Sequence, residues 1–70
     1  MFLLLNGEQR EVPDGLTLAA LVDHLGMKAD RVAVELNLEI VPRTKWQDTK
    51  LKSGDRLEIV HFVGGGVDRR

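Results

Sequence analysis

The chain has 70 residues, no cysteine and a formal net charge of −1. That length makes one small domain, and the missing thiols exclude disulfides, a thiolate nucleophile and cysteine-ligated metal or iron–sulfur clusters. Near-neutrality argues against a nucleic-acid binder, the longest apolar run is too short for a bilayer, and no secretory signal opens the chain, so no nucleic acid and no membrane partner is expected and the cytoplasm is the default location. Phe2 to Leu5 is an apolar run ended by Asn6-Gly7, the dipeptide that favours a tight hairpin turn. Glu8 to Val12 is the returning strand, closed by Pro13-Asp14-Gly15. Leu18, Leu21, Val22 and Leu25 then share one helical face. Thr17 stands as its N-cap and Gly26 suits the left-handed position after its end.

Beyond Asp30 the period changes to two. Val32, Val34 and Leu36 alternate with Ala33, Glu35 and Asn37, which predicts a half-buried strand. Asn37-Leu38 turns the chain into a short strand, Glu39 to Val41, ended or placed at an edge by Pro42. Arg43 to Thr49, with Trp46 inside it, reads as irregular chain with a helical turn. Ser53-Gly54-Asp55 is a further turn, and Leu57 to Val63 is the last strand.

One helix and a small sheet, each with a single apolar face, pack as two layers. The first and last strands are the most apolar and are expected to lie centrally and parallel. The expected fold is α+β, a ubiquitin-like β-grasp with a small mixed sheet packed on one helix. Alternation points Leu3, Leu5, Leu57 and Ile59 toward the helix. Phe2, Leu4, Val60 and Phe62 fall on the opposite, outer face. An apolar outer patch of this kind marks a partner-binding surface; the competing readings are that these residues complete the core or meet a second copy of the chain.

The last strand runs straight into Gly64, Gly65 and Gly66, with Val67, Asp68, Arg69 and Arg70 after them. Consecutive glycines disfavour both helix and strand. The expected organisation is therefore a β-grasp domain over 1–63, a flexible diglycine tail over 64–66 and a C-terminal extension over 67–70. If extended, Phe62 to Gly66 reach roughly 16 Å at about 3.3 Å per residue. That strip is slim enough to enter a partner's cleft.

Three stretches together resemble the ThiS family, the ubiquitin-like sulfur carriers of thiamine biosynthesis. They are Asn37 to Arg43 (Asn-Leu-Glu-Ile-Val-Pro-Arg), Trp46, and Gly54 to Gly66 with its closing glycines. The likeness covers residues 1 to 66. It implies that the Gly66 carboxylate, with Gly65 before it and Gly64 and Val63 in the tail, is adenylated from ATP by a ThiF-type adenylyltransferase. Sulfur then displaces AMP to leave a thiocarboxylate, which a ThiG-type thiazole synthase consumes. On this reading the chain is a protein cosubstrate and not an enzyme, has no catalytic residue of its own, and binds no cofactor. The extension departs from the family pattern, since it turns the Gly66 carboxylate into a peptide bond. Trimming by a processing protease is expected. The competing readings of the extension are an added remnant and a paralogue without activity.

The glycines do not separate a thiamine carrier from the small subunit of molybdopterin synthase or a carrier for another sulfur pathway. A plain ubiquitin-like interaction domain, with no acyl chemistry, is the competitor from a different class. His24 and His61 have no carboxylate or cysteine at ligand spacing, so no metal site is expected. Arg43 reads as a structural residue and Trp46 as a core plug. Asp14, Asp23, Asp30 and Asp55 sit where turn and surface carboxylates are ordinary.

Overall fold

The structure, a computed structural model, describes residues 1–63 and 66–69. Strands β1 (Phe2–Leu5) and β2 (Glu8–Glu11) form the predicted hairpin, with Phe2 opposite Glu11 and Leu5 opposite Glu8. Its two turn residues, Asn6 and Gly7, have φ of 50° and 84°. Both central positions are left-handed, as the twist of a two-residue hairpin requires. Helix α1 (Leu18–His24) follows, and Thr17 caps it by accepting from the Ala20 amide at 3.1 Å. Gly26, at φ 73°, takes the left-handed position after its end.

Ala29–Arg31 forms a 3₁₀ turn that the sequence pattern does not signal. Strands β3 (Val32–Leu36) and β4 (Glu39–Ile40) make a second hairpin, turned by Asn37 and Leu38 at φ 50° and 72°. Arg43–Asp48 is a 3₁₀ helix that buries Trp46, whose indole Nε1 donates to the Val41 carbonyl at 2.9 Å. Strand β5 spans Arg56–Val63 and strand β6 spans Gly66–Arg69.

The strand order is β2-β1-β5-β3-β4, with β6 also paired to β5. β1 and β5 are parallel, as expected for the first and last apolar strands, and the remaining pairs are antiparallel. Leu3, Leu5, Leu57 and Ile59 are buried on the inner face, where Leu18, Leu21 and Val22 of α1 join them in one core. Trp46 and Leu51 close that core at its edge. The stretch before the helix is tied to the stretch before β5 by Leu18 N–H to Thr49 O at 2.8 Å and Leu51 N–H to Leu16 O at 3.0 Å. The architecture is the α+β β-grasp expected from the sequence. No helix among the described residues is long and apolar enough to cross a membrane.

The left-handed asparagine of the first turn does more than turn the chain. Asn6 Oδ1 accepts from the Ile59 amide at 2.8 Å, and its Nδ2 donates to the Ile59 carbonyl at 3.2 Å. The carboxamide thereby supplies the pairing that a further β1 residue would have supplied. Replacement by glycine, which keeps the turn conformation but removes this brace, should cost about 2 kcal/mol, two net hydrogen bonds, read by urea unfolding. The second hairpin should respond in the opposite direction. Leu38 adopts a left-handed φ with an exposed side chain. Leu38→Gly should therefore stabilise by about 0.5–1 kcal/mol, the left-handed penalty less the extra chain entropy of glycine, seen as a raised unfolding midpoint.

Candidate functional site

The glycines follow β5 directly in sequence, so the candidate site is built on whatever holds β5. Its base is locked by Asp55, which is only 4% exposed although its sequence context reads as an ordinary turn. Asp55 Oδ2 accepts from the Lys52 amide at 2.9 Å, and Oδ1 accepts from Asn37 Nδ2 at 3.1 Å. Asn37 in turn brackets Arg56: its N–H donates to the Arg56 carbonyl at 2.7 Å, and its Oδ1 accepts from the Arg56 amide at 3.0 Å. A buried carboxylate is costly unless its oxygens accept hydrogen bonds, and here both do. This network was not legible in the sequence, because residues 18 positions apart meet only when β3 and β5 pair.

Along the β1 side of β5 the partners change in sequence. Leu4 N–H donates to Asp55 O at 2.9 Å, and Asn6 N–H to Leu57 O at 2.8 Å. The Asn6 carboxamide then takes Ile59. Past Ile59, β6 takes the edge, with Val60 opposite Arg69, His61 opposite Asp68, Phe62 opposite Val67 and Val63 opposite Gly66. Gly66 and residues 67–69 of the extension thus differ from the expected projecting end, because Gly66–Arg69 return along β5; Arg70 lies outside the described residues. The physical reason is the short β1: it leaves the upper edge of β5 with open backbone groups, and an adjacent antiparallel segment satisfies them. Gly64 and Gly65 of the expected tail lie outside the described residues.

The four residues expected to form an apolar outer patch do share the outer face, but they are not gathered in one place. Val60 lies opposite Ala33 and is half-buried, and Phe62 is 46% exposed near the upper end of β5. Leu4 lies opposite Arg56, and Phe2 sits at the foot of the sheet, where its carbonyl accepts from Gly54 N–H at 2.9 Å. Eight positions separate Gly54 from Phe62, on the order of 25 Å at about 3.3 Å per strand residue. Phe2 and Leu4 are half-buried. What the sequence reading missed is Ile40, 77% exposed on β4 opposite Glu35. Together with Ala33, Glu35, Glu58 and Val60 it lines a shallow outer cavity of about 90 Å³. The topology moves the accessible apolar surface to Val60, Phe62 and Ile40. The signal for Ile40 was the Asn37-Leu38 turn, which pairs Ile40 with outward-facing Glu35.

On the inner side, at the end of α1, a wider cavity of about 330 Å³ is lined by Gly26, Met27, Lys28, Arg31 and His61. Three of these side chains carry basic nitrogens, and the cavity lies beside the upper end of β5. His24 lies in the last turn of α1. Among the described residues no group of three or more His, Asp or Glu side chains is placed to hold a metal ion. Arg43 bridges two 3₁₀ segments, its guanidinium donating to the Ala29 carbonyl at 3.3 Å.

Comparison with known proteins agrees with the fold. A thiazole synthase of Paramagnetospirillum magneticum is 46% identical over 69 residues, which take in 99% of this chain but 21% of that protein. The chain spans about a fifth of the length of the thiazole synthases it matches. The sulfur carrier protein ThiS of Bacillus subtilis is 37% identical over 65 residues, 91% of this chain and 98% of its own. The crystal structure of the thiamine biosynthesis protein ThiS from Geobacter metallireducens superposes with a TM-score of 0.81 at 36% identity, over 94% of this chain and all of that one. The ThiS family model matches residues 3–66, from the first buried leucine of β1 to the last of the three glycines, and the chain belongs to the ThiS family.

Proposed function

We propose that this chain is a sulfur carrier for formation of the thiamine thiazole, and that its working group is the carboxylate of Gly66. The observation that carries this reading is the extent of the family match, which runs through the sheet and ends on Gly66. ThiS proteins of nearly the same length support it. The thiazole synthases that contain a segment similar to this whole chain support a synthase as the sulfur acceptor, since carrier-like unit and synthase then share one polypeptide.

The chemistry needs little from the carrier itself. Hydrolysis of the Gly66–Val67 peptide bond by a processing protease adds water and yields a Gly66 carboxylate and a free Val67 amine. That carboxylate attacks the α-phosphorus of ATP on a ThiF-type adenylyltransferase, and pyrophosphate leaves. A sulfur nucleophile then attacks the acyl carbon, AMP departs, and a thiocarboxylate remains. Glycine suits the terminus because no side chain obstructs either the confined site or the attack. ATP is consumed by the partner. On this reading the chain needs no cofactor of its own and acts as a cytoplasmic cosubstrate.

Docking falls to the outer face of β5 and β4. Phe62 and Ile40 flank half-buried Val60, and exposed apolar side chains of this kind anchor interfaces. The basic rim of Lys28, Arg31 and His61 beside the upper end of β5 suits an acidic partner surface.

Two measurements test the reading. A form ending at Gly66, incubated with ATP, sulfide and the activating enzyme, should exchange one carboxyl oxygen for sulfur by intact-mass analysis. An unchanged mass across cognate enzymes would leave a plain interaction domain as the better description. Phe62→Asp in the same form should leave stability within about 0.5 kcal/mol, as for an exposed site. It should lower kcat/KM for adenylation about 30-fold, the scale of a 2 kcal/mol interface anchor. Unaltered kinetics would remove Phe62 from the docking surface.

A further inference from the structure

The upper edge of β5 is a place where a strand binds. Backbone groups in a strand alternate between its two edges. Arg56 is bonded on the β3 side through Asn37, whereas Asp55, Leu57 and Ile59 turn their groups toward β1 and Asn6. By the same alternation His61 and Val63 turn theirs beyond the end of β1, where no β1 residue reaches. The register places Asp68 opposite His61 and Gly66 opposite Val63, which are therefore the hydrogen-bonded pairs of the β5–β6 hairpin.

We infer that the edge of β5 from His61 to Val63 is a strand-acceptor site, and that its occupant in the full chain is the segment Gly66–Arg69. The extension is thus a strap as well as a block on the terminal carboxylate. While it is attached, it holds Gly66 opposite Val63 and Val67 opposite Phe62, within the surface assigned to docking. Hydrolysis at Gly66–Val67 consumes one water, creates the carboxylate and detaches three of the four paired residues in the same event. The glycine end is then released from β5 to extend. Two consequences of one cut follow from the topology, because the scissile bond lies inside β6. This deepens the sulfur-carrier reading and rests on it only for the docking arm of the test below.

Backbone amide exchange, followed residue by residue by NMR, decides the pairing. Four forms are compared: the full chain, Asp68→Pro, Asp68→Ala and the form ending at Gly66. Among the residues whose burial is described, every core residue lies between Leu3 and Ile59, and the shortened form retains them all. Proline at 68 removes the donor aimed at His61, whereas alanine keeps it. The His61 and Val63 amides should exchange about tenfold slower in the full chain and in Asp68→Ala than in the other two. Equal rates in all four forms, or release by alanine as well as by proline, would overturn the strap. For the docking arm, the uncleaved full chain and uncleaved Asp68→Pro compete against the Gly66-ended form for the activating enzyme. The proline variant should inhibit several-fold more strongly, and equal inhibition would show that the strap does not mask the surface. Should the Gly66-ended form never be adenylated, the carrier reading fails, while the exchange rates still decide the strap.

Discussion

The rest of the structure depends on how the backbone of β5 is satisfied along its β1 edge. β1 is only four residues long, while β5 is eight. A strand in the middle of a sheet cannot leave half of one edge unpaired without cost. Here the edge is completed in relay, first by the β1 backbone, then by the Asn6 carboxamide on Ile59, then by β6. The brace at Ile59 is what allows a short parallel pair and a following antiparallel pair to share one edge without a gap between them.

The same device appears on the other side of β5. Asn37, like Asn6, stands at φ 50° as the first residue of a two-residue hairpin turn, and it too spends its carboxamide on β5 and its approach. Asparagine tolerates the left-handed region and brings a short donor and acceptor with it. The two hairpins therefore clamp β5 from opposite edges. Asp55, buried beneath Asn37, completes the clamp at the point where the chain enters the strand.

This rigid seating explains a division of labour between the faces. The inner face of β5 places Leu57 and Ile59 in the core without solvent exposure, so the strand cannot slide by one residue without ejecting both. The outer face is half-buried at Val60 and 46% exposed at Phe62, two residues before the glycines begin. The proposed carrier role needs a fixed body, and the inward packing of Leu57 and Ile59 supplies it.

From residue order alone, periodicity and turn chemistry determine both hairpins, the single helix with its Thr17 cap, the parallel meeting of first and last strands, and the inward set Leu3, Leu5, Leu57 and Ile59. Those features are local, or follow from burying one apolar face per element, so the sequence expresses them directly. The glycine run and the motif around Ile40 to Arg43 likewise point to the family. Tertiary structure alone decides the rest. The burial of Asp55, the reach of Asn6 to Ile59 across 53 positions and the grouping of Ile40 with Val60 depend on which strands become neighbours. The return of Gly66–Arg69 along β5 has the same origin: it answers an edge left open because β1 stops at Leu5, a vacancy that exists only once the sheet is assembled.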